Sequence, residues 1–104
     1  MFRVALPCFA LLFGHTALSA EPILKQMHGT WRSEKQMVVI DTERMLGNID
    51  SARPFQRDAL RLRDISGRMV VFEIGSRRFI GFFDRNELRL TGDGIEGSDI
   101  LRRR

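Results

Sequence analysis

The stretch that most constrains this chain runs from residue 60 to residue 91, where apolar and charged residues alternate with a period of two. Leu60 and Leu62 alternate with Arg61 and Arg63, Val70, Phe72 and Ile74 share one parity, and Leu88 and Leu90 flank Arg89. In a strand this period puts successive side chains on opposite faces, so each segment has one apolar and one polar side. Ser66-Gly67, Gly75-Ser76 and Asp84-Arg85-Asn86 separate the segments and suit tight hairpin turns. Short strands at this spacing bury their apolar sides by curling into one sheet. The pattern predicts an all-β fold, a small antiparallel meander forming a compact or incomplete barrel.

The segments before the meander are less regular. Residues 21–28 read as a short helix: Pro22 suits its first turn, Gly29 stops it, and Ile23, Leu24 and Met27 share a face that could cap one end of a barrel. Thr30 to Ser33 is a first strand with Trp31, the only tryptophan, on one side and Thr30 and Arg32 on the other. Met37 to Asp41 is a second, β-branched strand. Residues 42–49 read either as a helical turn or as more strand, with Gly47-Asn48 as a turn, and Asp50 to Pro54 as a loop. Later strands are expected within 55–65 and at 69–74, 79–83, 87–91 and 99–103, with Gly92 to Gly97 as a glycine-rich loop. That is six or seven strands. Gly81, inside a strand, marks a bulge or a close approach by another group.

Met1-Phe2-Arg3, the apolar run Val4 to Gly14 and the small-residue end at Ala20 make up the three parts of a secretory signal peptide, residues 1–20. Cleavage is expected after Ala20, with Ser19 as the other site; a retained N-terminal anchor is the alternative. The run is shorter than the roughly 20 apolar residues a membrane helix needs. Cys8, the one cysteine, lies inside it, so residues 21–104 have no disulfide, no thiolate nucleophile and no cysteine-based zinc site. An exported chain without cysteine fits a bacterial periplasm better than an animal secretory route. The remaining 84 residues make one domain, near the lower limit for folding without covalent staples.

Without Arg3 the charge is 16 basic against 13 acidic residues, and the basic ones are almost all arginine, Lys25 and Lys35 excepted. The guanidinium fork suits carboxylates and phosphates, which points to an anionic envelope component; the alternative is a solvated charged surface. The arginines are interleaved with acids, as at Arg57-Asp58 and Arg63-Asp64, and form no stripe of the kind nucleic acid selects. Nucleic acid is therefore not expected as a partner.

Chemistry-bearing residues are sparse. His28 is the one histidine after the leader, and a Ser33, His28, Asp41 set lacks any supporting motif. No metal-ligand cluster or cofactor motif is evident, so neither catalysis nor a cofactor is expected. The acidic, glycine-rich stretch Gly92 to Asp99 lacks the ligand spacing of a calcium loop and reads as a β-turn. Glu73 is expected to face outward, opposite Phe72 and Ile74. The candidate binding surface is Arg77, Arg78, Phe79 and Phe82, with Phe83 beside them, because arginine and aromatics recur at interface hot spots.

Gly29-Thr30-Trp31 after a short helix, a β-meander, and Arg102 or Arg103 in the last strand resemble the lipocalin-like (calycin-type) pattern. Asn86 to Leu90, a loop and Ile100 to Arg103 are similar to the ending of small, uncharacterised bacterial exported proteins of that kind. The resemblance implies a barrel closed at one end by a plug of Gly29, Trp31 and a late arginine, here assigned to Arg102. It also implies that such a barrel could carry a small apolar ligand. A full lipocalin has eight strands and about twice this length, so a compact or incomplete barrel filled by its own side chains is expected, with an edge strand free to pair in a homodimer. The leading expectation is a non-enzymatic exported module that binds a periplasmic protein or envelope component; the alternative is the apolar-ligand carrier. An interior filled by Trp31, Leu60, Leu62, Phe72, Phe83 and Leu90 would favour the former.

Overall fold

The computed structural model describes residues 21–104, and the expected signal peptide lies outside the described residues. A helix α1 (Glu21–Met27) leads into β1 (Gly29–Arg32), β2 (Met37–Asp41), β3 (Leu46–Asn48), β4 (Asp58–Ser66), β5 (Met69–Ile74), β6 (Arg77–Asp84), β7 (Glu87–Gly92) and β8 (Ile95–Arg103). Each strand pairs antiparallel with the next, and β8 returns to β1 through Trp31 opposite Arg103 and Arg32 opposite Arg102. The result is a closed eight-stranded barrel.

Of the two forms expected the barrel is the compact, closed one, and one expectation is corrected: it has eight strands, not six or seven. The extra strand is β3, from the segment whose period was unreadable. Asp41 Oδ1 accepts the backbone N–H groups of Glu43 and Arg44, both at 3.0 Å. Met45 then takes a positive φ of 56° and the chain reverses, so that Leu46 pairs with Asp41 and Gly47 with Ile40. Asn48 is therefore a buried strand residue, not part of a turn. Its Nδ2 donates to the Arg53 carbonyl at 2.9 Å and its Oδ1 accepts from Asp50 N at 2.9 Å, which secures the 49–57 loop. The expected loop at Gly92 to Gly97 contracts to a turn at Asp93-Gly94, and β8 begins at Ile95. Because the ring of pairings leaves no strand without a neighbour, these residues offer no unpaired edge strand for the expected homodimer.

The interior is filled. Trp31, Val38, Val70, Phe72, Phe79, Phe83, Leu88, Leu90 and Leu101 are fully buried, Ile40 and Leu60 nearly so, and Leu62 is partly buried against them. Four rings form a chain along the barrel: Trp31 meets Phe83 edge-on at 5.5 Å, Phe83 lies 6.2 Å from Phe72, and Phe72 lies 5.6 Å from Phe79. Gly81 is what lets them meet. A Cβ there would lie 2.9 Å from Phe83, 3.0 Å from Leu88 and 3.1 Å from Phe72, so the strand carries glycine for close approach, and the register shifts fall elsewhere, at Leu62/Asp64 and Leu90/Gly92. Burial of such large apolar side chains contributes roughly 1.5–3 kcal/mol each, the main stabilising contribution available to a small domain.

A guanidinium caps each end of this aromatic chain. At the helix end, α1 buries Ile23 and Met27, and Trp31 Nε1 donates to the Met27 carbonyl at 2.9 Å. Arg103 lies over the Trp31 ring, 4.2 Å from its centroid. It donates to the carbonyls of His28 and Gln26, both at 2.6 Å, and of Arg85 at 3.1 Å, satisfying carbonyls that the end of α1 leaves open. Arg102, expected in this plug, points outward to Glu87 at 3.5 Å. Strand parity decides it: Leu101 faces in, so Arg102 faces out and Arg103 returns to the inner side. Gly29 completes the plug, with φ of 136° and an absent side chain whose Cβ would sit 2.9 Å from the Arg103 guanidinium. At the other end, Arg77 lies 5.4 Å from the Phe79 centroid and donates to the Asp93 carbonyl at 2.8 Å.

Candidate functional site

The possible catalytic residues do not converge. Ser33 Oγ donates to Asp99 at 2.7 Å and accepts the backbone N–H groups of Lys35 and Gln36, so it stabilises the β1–β2 turn. His28 is at the opposite end of β1, where its Nδ1 accepts the backbone N–H of Thr42 at 3.1 Å. His28, Asp41 and Glu43 do come together, beside a cleft of about 370 Å³ lined by Leu24, Lys25, His28, Thr42 and Glu43. The donor atoms of Asp41 and the Nδ1 of His28 are already committed, whereas the Glu43 carboxylate and His28 Nε2 have no partner among the described residues. His28 Nδ1 is occupied by Thr42 N, Asp41 Oδ1 by two backbone N–H groups, and Asp41 Oδ2 faces Arg44 at 3.4 Å. The backbone N–H of Arg44 is the main cause holding the Asp41 carboxyl below its usual range. Asp41 and His28 Nδ1 staple the turn between β2 and β3. Asp93, in the acidic glycine-rich stretch, is likewise engaged, its Oδ2 accepting the backbone N–H of Arg78 in β6 at 3.0 Å.

The predicted surface residues are split by strand alternation. Along β6, Arg78, Ile80 and Phe82 face outward, while Phe79, Gly81 and Phe83 face the interior. Phe79 is completely buried and is removed from the candidate surface; Arg77 is a barrel-end cap. Only Arg78 and Phe82 of the predicted four lie on the outer wall.

Cross-strand register groups them with residues from three other strands. One outer row runs Met69, Phe82, Arg89, Ile100 across β5, β6, β7 and β8. The next runs Val71, Ile80, Thr91. Met69, Ile80, Phe82 and Ile100 are 41–45% exposed, so nearly half of each apolar side chain is available to a partner. Beyond them, Arg61, Glu73 and Arg78 form a third row. Glu73 faces outward as expected and takes Arg63 at 3.1 Å and Arg78 at 2.8 Å. Hydrogen bonds from Arg63 first, then Arg78, hold its carboxyl below the usual range. On the opposite flank, Arg102 pairs with Glu87 and Arg68 with Asp84. Arg89, in the middle of the apolar row, and Arg61 have no ion-pair partner among the described residues.

Sequence reasoning missed Met69, Ile80, Arg89 and Ile100. The two-residue turns carry a usable signal. Gly75-Ser76 and Arg85-Asn86 fix which residues face one another across the hairpins, and counting outward from each places Met69, Phe82 and Arg89 in one row.

No protein-family model, curated protein or solved structure matches the chain.

Proposed function

We propose that this protein is an exported, non-enzymatic binding module that engages an envelope component of the bacterial periplasm through the outer wall of β5–β8. The supporting observation is the outer row Met69, Phe82, Arg89, Ile100, where half-exposed apolar side chains surround an arginine without an ion-pair partner. Isolated apolar residues on a surface need no explanation, but several in adjacent register positions mark an interaction site. The face is also supported by what lies behind it: the interior is occupied by buried rings and aliphatic side chains, which weighs against the carrier reading. The plug of Gly29, Trp31 and Arg103 under a short helix agrees with a lipocalin-like barrel in which the interior serves only as core. The test is recovery of binding partners from a bacterial envelope extract by the protein and by a Phe82→Ser/Arg78→Glu variant. The variant is expected to lose them; equal recovery by both refutes this face.

A further inference from the structure

We infer that the partner of this wall is an anionic lipid bilayer surface, on which the barrel lies with Met69, Ile80, Phe82 and Ile100 against the headgroup–acyl boundary. This inference rests on the reading that β5–β8 is the binding face.

Shape is the first argument. The outside of a closed barrel is convex, and a convex face offers no groove for a peptide strand or helix. A bilayer requires only a group of apolar side chains at similar height, which adjacent outward positions on neighbouring strands supply. Charge is the second. In the three rows and at the bulge residues beside them, the outward charges are Arg61, Arg63, Arg78 and Arg89 against Glu73, Asp64 and Glu96, a net positive face. Glu73 is shared by two arginines, and Arg89 and Arg61, without an ion-pair partner among the described residues, can take phosphate. Guanidinium is the side chain best suited to forked hydrogen bonding of phosphate oxygens. A second copy of the chain fits poorly, because a two-fold contact centred on this row would set Arg89 against its own counterpart.

The barrel lies on the bilayer and does not cross it. A membrane-spanning barrel presents a continuous apolar band outward, whereas here the ring chain is inside and arginines interrupt the outer wall on β4, β6, β7 and β8.

The experiment is vesicle flotation at low ionic strength, with neutral phosphatidylcholine vesicles compared with vesicles containing phosphatidylglycerol. The protein is expected on the anionic vesicles only, with binding reduced by salt. Each surface arginine is worth about fivefold in affinity, so Arg89→Glu is expected to weaken binding roughly 25-fold. Arg89→Lys keeps the charge and should stay within about threefold, and Phe82→Ser should cost roughly fivefold. Arg53→Glu, the same charge change in the 49–57 loop outside the three rows, should cost clearly less than Arg89→Glu. Urea unfolding midpoints of each variant separate misfolding from lost binding. Equal floating on neutral and anionic vesicles, no floating on either, or equal losses for Arg53→Glu and Arg89→Glu would each overturn the membrane reading. If no vesicle binding occurs but Phe82→Ser/Arg78→Glu still abolishes capture from the extract, the face stands with a different partner. If capture too is unchanged, the face itself falls.

Discussion

Replacing Arg103 by alanine should remove a large share of this protein's stability, although the residue is second from the end of the sequence. Its guanidinium makes three hydrogen bonds to backbone carbonyls and stacks on Trp31 at 4.2 Å. A hydrogen bond with a charged partner contributes roughly 1.5–3 kcal/mol, and a cation over an aromatic face about 0.5–2 kcal/mol. These contacts share one side chain and are not additive, and one of the three bonds is exposed. A total loss of about 3–5 kcal/mol is the expected magnitude. Natural domains hold roughly 5–15 kcal/mol, and in a domain this size 1 kcal/mol moves the melting temperature by about 4–8 °C. Arg103→Ala should therefore melt some 12–30 °C or more below the parent. Arg103→Lys keeps the charge but loses the fork, and should fall between them. The internal control is Arg102→Ala. That arginine is 73% exposed and its ion pair is 3.5 Å long, so its loss should cost less than about 0.5 kcal/mol. Urea unfolding followed by Trp31 fluorescence and far-ultraviolet circular dichroism gives all three values. Equal destabilisation by Arg102→Ala and Arg103→Ala would refute the assignment of the plug.

Three further outcomes are expected. Phe79→Ala, which empties a fully buried site, should cost roughly 3–5 kcal/mol, while Phe82→Ala on the outer wall should leave the urea midpoint nearly unchanged. Gly81→Val should destabilise by about 1–3 kcal/mol through overpacking against Phe83, Leu88 and Phe72; a stabilising effect would show that the barrel has room inside. Glu73 has a native-state pKa lowered from 4.5, so the unfolded chain takes up its proton first on acidification. Its contribution is complete above pH 4.5 and is lost as pH falls through the native value, and a Glu73→Gln variant should show a flatter decline in stability below pH 4.5 in acid titrations.

The difference between Arg102 and Arg103 illustrates where reading the chain stops being sufficient. A late arginine over Trp31 was expected, but choosing between adjacent residues needs the parity of β8, and Ile100 and Leu101, adjacent and both apolar, leave that parity open until packing buries Leu101. The same limit displaced Phe79 from the surface. Three phenylalanines and two arginines in one short segment look like a patch, yet alternation sends Phe79 and Phe83 inward and Phe82 outward.

What the sequence by itself determined is the class of fold and the course of the meander. Period-two alternation and hairpin turns are local properties, set by residues a few positions apart, and they place β5, β6 and β7 to within two residues. The tertiary structure alone decided that the sheet closes. Closure requires β3, a three-residue strand with no periodicity to read, and the meeting of β8 with β1 some seventy residues apart along the chain. It also decided which outward residues become neighbours. Met69, Phe82, Arg89 and Ile100 span 32 positions of sequence and share one row only because hydrogen-bond register aligns four strands. Register and closure are set by the packing of the whole interior at once, so no single segment carries them.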